Sequence, residues 1–179
     1  MINQKELNRQ NITRKLLKQS LIDLMMLKDY DKITAKEVFH YADVNRTTFY
    51  RYYDNIDDLL KDVEESLMDD IFDIVYYDSF DHYFENVCFN LFQNKELFLL
   101  LLHQGSVEKR FISHLSQSIC IFGVCQQKDR INRMLIDTFL DYGIFHLLCL
   151  WLEQKMCKTP REIAEMIQYL IKESKWKTY

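Results

Sequence analysis

Nine consecutive residues gather the side chains that meet phosphates and base edges: Asn45-Arg46-Thr47-Thr48-Phe49-Tyr50-Arg51-Tyr52-Tyr53. Guanidinium forks pair bidentately with a guanine edge or a phosphate, and hydroxyls and phenols donate to phosphate oxygens. Asn45 is a good helix N-cap, and the residues after it extend just over two turns. Val44 and Phe49 have the spacing of a hydrophobic staple across that cap. On such a helix Phe49 and Tyr53 share a face suited to burial. Arg46, Thr47, Tyr50 and Arg51 fall largely on the other side, where a groove could be read. An ordinary amphipathic surface helix has the same pattern, so the preceding elements must decide.

The elements that would hold this stretch are short. Ile33-Thr34-Ala35-Lys36-Glu37-Val38 carries a T-x-x-E capping box at Thr34 and Glu37, with Ile33 and Val38 as its staple. The helix it opens runs to about Ala42 and buries Val38, Phe39 and Ala42. Its N-terminus offers backbone N–H groups and the Thr34 hydroxyl to a phosphate. Ala42-Asp43-Val44-Asn45 is then the turn of a helix-turn-helix unit. Upstream, Ile12, Leu16, Leu17, Leu21, Leu24 and Met25 make one apolar stripe on a helix over residues 8–28. Residues 28–32 are a polar connector. Downstream, Ile56, Leu59, Leu60, Val63, Leu67, Ile71 and Ile74 make the stripe of a helix over residues 56–74.

Residues 33–60 resemble the DNA-binding segment of the tetracycline-repressor (TetR) family. The matching pieces are Ile33-Thr34, Val38, Ala42, Val44-Asn45-Arg46, Thr48-Phe49-Tyr50, Tyr52-Tyr53 and Asp57-Asp58-Leu59-Leu60. With the first helix, the likeness covers about a third of the chain. It implies a homodimeric, sequence-specific regulator of transcription, more a repressor than an activator, released by a small-molecule effector. Thr34, Asn45, Arg46, Thr47, Thr48, Tyr50, Arg51 and Tyr52 are the residues it assigns to DNA, with Thr48 and Tyr50 on the backbone. Two departures stand out. Asp43 occupies a turn position where the family commonly has Gly, and Asp tolerates a left-handed backbone. Ile56 stands where the family often has a Lys that contacts the DNA backbone, so weaker backbone affinity is expected.

The remainder reads as helices over residues 80–92, 96–103, 106–122, 130–155 and 160–175, with breaks at Gly105 and Gly123. Pro160 suits a first helical turn after Thr159. The chain is thus all-α, of about nine helices, with a helix-turn-helix head over 1–55 and a helical effector-binding and dimerisation domain over 56–179. Phe139, Tyr142, Gly143, His146, Ile163, Ile167 and Leu170 are the candidate dimer surface, since the family pairs two late helices from each subunit. An intramolecular core is the other use for those faces. Residues 139–144 with Trp151-Leu152-Glu153 resemble a Gram-positive branch of the family, in which some members act as co-activators with a second protein. Tyr83, Phe84, Phe89 and Phe111 are candidates to line an effector pocket, and Tyr76 lies among the same aromatics, although aromatic stripes at helical spacing also make plain core.

Composition bounds the rest. The 179 residues are 48% apolar and 14% aromatic, enough for a sizeable core, and three Gly and one Pro leave few of the tight turns that sheets need. Residues 1–53 carry ten Lys/Arg against six Asp/Glu, a net +4, and the remainder is net −8. A polyanion would therefore dock at the N-terminal end. Apolar runs reach only six residues, as in 97–102, short of a membrane span. Met1-Ile2-Asn3-Gln4-Lys5 does not open a secretory signal, and five Cys without a paired framework suit a reducing cytoplasm. No Cys/His metal spacing, glycine-rich phosphate loop or nucleophile–base pair occurs. Cys120 and Cys125 fall on different helix faces, and Cys88, Cys149, His103 and His146 sit in apolar runs that suit core packing. Neither enzyme, metal nor cofactor is expected; the expected partners are double-stranded DNA, a second copy and an unknown effector, with no membrane. A helical interaction protein working through a protein partner, and a ligand carrier with a vestigial head, are the competing readings.

Overall fold

The computed structural model describes residues 4–73, 77–104, 107–123, 129–154 and 158–173, which form nine α-helices and no strand. They are α1 (Gln4–Leu27), α2 (Ala35–Tyr41), α3 (Arg46–Tyr52), α4 (Ile56–Ile71), α5 (Phe80–Gln93), α6 (Lys95–His103), α7 (Val107–Ile121), α8 (Arg130–Glu153) and α9 (Pro160–Glu173), with a 3-10 turn at Tyr30–Lys32. Helix positions follow the apolar periodicity closely. Ile74, Tyr76, Gly105, Ser106, Cys125, Lys155 and Lys175 lie outside the described residues.

The chain divides into two compact units, Met1–Ser66 and Leu67–Tyr179. The division falls inside α4 rather than at its start, where a boundary between 55 and 56 would put it. The reason is local bonding. The Lys18 ammonium on α1 donates to Ser66 Oγ at 2.6 Å and lies 3.5 Å from Asp62. The Tyr30 hydroxyl donates to Asp57 at 2.5 Å. The first half of α4 is therefore bonded to the helices that precede it.

In the first unit Leu17, Leu21, Leu24 and Met25 of α1 are buried, with Ile33, Val38, Phe39, Ala42, Phe49, Tyr53, Leu59, Leu60 and Val63. The α1 stripe is narrower than expected. Ile12 is 60% and Leu16 48% exposed, because at 100° per residue both lie well off the face centred on Leu17 and Leu21. Ser20 takes a buried place instead, its hydroxyl donating to the Leu16 carbonyl at 2.8 Å.

In the second unit α5 and α9 form the most extensive helix pair, and α7 packs on α8. The Gln168 amide donates to the Asp81 carbonyl at 2.8 Å and Lys172 to the Asp81 carboxylate, fixing the α5–α9 register. Phe111 sits at the centre of an aromatic core, with ring centroids 4.8 Å from Phe72, 5.4 Å from Phe98 and 5.5 Å from Phe145. By length and composition α8 could cross a membrane. Its apolar residues Leu140, Ile144, Phe145, Leu148, Trp151 and Leu152 are buried in this core, however, so α8 is read as a core helix.

Candidate nucleic-acid interface

Three local devices position α3. Asn45 caps it, its side-chain oxygen accepting from the Thr48 N–H at 2.7 Å. Asp43 turns the chain with φ 53°, a left-handed conformation. That turn lets the Val44 N–H reach back to the Phe39 carbonyl at 2.9 Å, tying α3 to α2. Phe49 is fully buried and Tyr53 nearly so, with ring centroids 6.0 Å apart, and Phe39 lies 6.3 Å from Phe49.

With those two rings buried, the opposite face is turned outward. Asn45, Arg46, Thr47, Tyr50 and Arg51 are exposed, and Thr48 and Tyr52 are half-buried. The Arg46 guanidinium lies 5.5 Å over the Tyr50 ring, and that ring meets Phe49 edge-on at 5.2 Å. Tyr50 is thereby braced while it remains exposed, and Arg46 is held near it. Among the described residues, Arg46 and Arg51 form no ion pair, whereas Lys18, Lys28 and Lys32 are paired with carboxylates. Both arginines on the outward face of α3 are thus left un-neutralised among the described residues.

At α2 the structure changes the weight given to Thr34. Its N–H and hydroxyl both donate to a Glu37 carboxylate oxygen at 2.9 Å, and its hydroxyl oxygen accepts from the Glu37 N–H at 3.3 Å. Lys28 donates to the same carboxylate at 2.6 Å, and with the Thr34 bonds it holds Glu37 down at about 2. A full negative charge thus sits at the α2 N-terminus, and the Thr34 hydroxyl is committed to the capping box. Lys36, in the same first turn, is exposed and unpaired among the described residues. Its place beside the cap makes it a further candidate for a phosphate, one not singled out by motif. Ile56 is half-buried at the start of α4, where Asn55 caps the helix by accepting from the Asp58 N–H at 2.9 Å. Lys61, one turn on, pairs with Asp58.

Three of the four residues expected to line a pocket are enclosed by other side chains. Tyr83, Phe84 and Phe111 are fully buried in side-chain packing, with the Tyr83 hydroxyl 2.7 Å from Ser118 Oγ, and Phe89 is 51% exposed on α5. These rings serve as core because their helical spacing places all but Phe89 on inward faces. A cleft of about 550 Å³ instead opens along the other side of α7, lined by Lys109, Ile112, Ser113, Ser116, Gln117, Cys120, Ile121 and Asp141.

The candidate dimer residues separate into two groups. Ile163 and Ile167 are buried within the monomer on the helix that packs against α5. This is a correction: the buried face of α9 belongs to its own subunit. Phe139, Tyr142, His146 and Leu170 are exposed, and among the described residues no atom beyond α8's own backbone and Gly143's chain neighbours lies within 4 Å of where a Cβ on Gly143 would be. Of the Cys and His expected to be buried, Cys88 and Cys149 are, while His103 and His146 lie at the surface. His146 Nδ1 sits 2.8 Å from the Tyr142 carbonyl. Among the described residues no group of three or more His, Cys, Asp or Glu could hold a metal ion.

Comparison with known proteins bears on both units. A model of the TetR-type transcriptional regulator C-terminal region matches residues 78–173. The uncharacterized HTH-type transcriptional regulator YxbF of Bacillus subtilis (strain 168) is 20% identical over 176 residues, 89% of this chain and 45% of that protein. The chain thus spans less than half the length of that relative. A TetR transcriptional regulator from Streptococcus agalactiae 2603V superposes with a TM-score of 0.76 at 24% identity, over 92% of this chain and 96% of that one. The dihydroxyacetone kinase operon activator DhaS superposes with a TM-score of 0.67 at 18% identity, over 90% of this chain and 95% of its own. At these identities the two structures speak to the fold.

Proposed function

Because the chain belongs to the TetR family of transcriptional regulators, with the C-terminal region model spanning residues 78–173, we propose that it binds duplex DNA through α3 in the cytoplasm and regulates transcription as a homodimer. The observation that carries this reading is the outward face of α3. Arg46, Thr47, Tyr50 and Arg51 stand exposed on a helix fixed by the Asn45 cap and by buried Phe49 and Tyr53. Arg46 meets a guanine edge or a phosphate, Thr48 and Tyr50 meet the backbone, and Lys36 adds a phosphate contact beside α2. Tyr52 is a weaker contact, and Thr34 contributes as a cap that positions α2.

The second copy would pack on the exposed apolar face of α8, where Leu135, Phe139, Tyr142, His146 and Leu150 succeed one another at helical spacing, with Leu170 of α9. The open approach at Gly143 supports a close helix crossing there. Two-fold symmetry gives a near-palindromic operator with half-sites roughly 34 Å apart or a multiple of that. Repression, released by an effector that favours a non-matching head spacing, completes the reading, and such release works only through differential affinity for the two states. The role is regulatory and not catalytic.

The test is a pull-down with genomic fragments using wild type, Arg46→Ala and Tyr50→Ala. Retention of the selected sequence by wild type and its loss in both variants supports the assignment; equal retention by all three defeats it. A second reading, activation in concert with a protein partner, is favoured by one finding: the structural relative described as an operon activator. Salt-sensitive duplex binding by the purified chain alone favours the first reading, and its absence the second.

A further inference from the structure

The α7–α8 cleft has one unusual group in its wall. Asp141 is only 6% exposed, and its Oδ1 accepts no hydrogen bond among the described residues. Ser116 on α7 is its one polar aid, and burial, with Asp137 one turn away, pushes the carboxyl up to about 6. Asp137 likewise has a buried Oδ1 without a partner, and Arg133 reaches only its other oxygen, at 3.6 Å. Lys109 also lines the cleft yet forms no ion pair with Asp141, nor does it help to hold that carboxyl ionised. A carboxylate at such a depth is unfavourable unless a donor or a counter-charge meets it. Beyond Ser116, the described residues supply Asp141 with neither donor nor counter-charge, and Asp141 is part of the cleft's lining.

We propose that this cleft binds a small organic monoamine, its ammonium group seated on Asp141 with Ser116 as a second polar partner. The volume of about 550 Å³ lies within the range of small-molecule sites. Ile112 and Ile121 offer apolar contact to the body of the ligand, and Ser113 and Gln117 offer hydrogen bonds along its length. Lys109 bounds the charge: a second cationic centre would be repelled by it, so the remainder of the ligand is neutral. This deepens the effector reading and rests on the second unit taking a ligand.

The test is calorimetry on the full chain, without DNA, using tryptamine as the cationic probe and N-acetyltryptamine as its neutral counterpart. Tryptamine is expected to bind at least about tenfold more tightly than N-acetyltryptamine, and Asp141→Asn is expected to erase that preference. Gln117→Trp, an exposed position that fills the cleft without touching the core, is expected to abolish binding. Equal affinity for the two probes, unchanged tryptamine binding in either variant, or no saturable binding up to about 5 mM would each overturn the proposal. A shift from dimer to monomer in Asp141→Asn, read by sedimentation, would assign the cleft to a second copy and overturn it too. No DNA is present, so failure here leaves the assignment of α3 intact, and failure of the pull-down leaves this binding measurable.

Discussion

The Tyr53 hydroxyl donates to Asp62 Oδ2 at 2.5 Å, joining the C-cap of α3 to the second turn of α4. Lys18 of α1 lies 3.5 Å from the same carboxylate, and the Arg14 guanidinium lies 5.9 Å over the Tyr53 ring. Burial, and then the neighbouring carboxylate, push the phenol well above its ordinary range, so it stays a donor. One residue thus buries its ring against Phe49 and uses its hydroxyl to fix α3 to α4.

Tyr53→Phe keeps the ring and removes that bond, leaving the half-buried Asp62 carboxylate with the Lys18 ammonium at 3.5 Å. A loss of about 1–2 kcal/mol in urea unfolding is expected. DNA affinity should fall with it, because the angle of α3 is less well held. An unchanged denaturation midpoint would show that the bond carries no weight.

Arg46 and Lys36 should fail differently. Arg46→Ala is expected to cost about 1–3 kcal/mol on the selected sequence and to relax discrimination at one base pair. Lys36→Ala should weaken all duplexes alike and lower the salt slope by about one phosphate contact. Fluorescence anisotropy over a salt series separates the two. Identical behaviour of both variants would refute the division of labour.

Asp43 is the left-handed residue between α2 and α3. Asp43→Val is expected to lose about 1–2 kcal/mol, since a β-branched side chain strains that conformation. Asp43→Gly should be close to neutral, the relief of strain being offset by the entropy of the unfolded chain. Thermal unfolding of the pair is the measurement, and a well-tolerated Val would contradict the turn geometry.

Tyr142→Arg places a charge on the exposed face of α8 without disturbing the buried one. The variant should sediment as a folded monomer and bind single half-sites only weakly. Persistence of a dimer would move the interface elsewhere.

Asp141 gives a pH signature. Its carboxyl is raised from 3.8 to about 6 in the folded chain. Below the lower value both states are protonated and ionisation carries no penalty. Stability is lost as pH rises through the window between the two values, and the whole loss is present above it. Asp141→Asn should therefore gain about 1–3 kcal/mol in urea unfolding at pH 8 and almost nothing at pH 3.5. An equal gain at both pH values would count against a buried ionised carboxylate.

Local patterns in the sequence determined the elements themselves. Helix limits, the capping box at Thr34 and Glu37, the Asn45 cap and the left-handed turn at Asp43 depend on residues within four positions of one another, so they can be read without the fold. The same holds for the outward face of α3, because burial of Phe49 and Tyr53 fixes the opposite side by helical periodicity alone. Tertiary structure decided where an apolar face finds its partner. Periodicity shows that Ile163 and Ile167 need covering, but only packing reveals that α5 of the same chain is beside them. Likewise Phe111 is apolar at the right spacing for pocket or core, and three neighbouring rings make it core. Asp141 was invisible in the sequence, since a single carboxylate on an apolar helix becomes unusual only once α7 takes away its water.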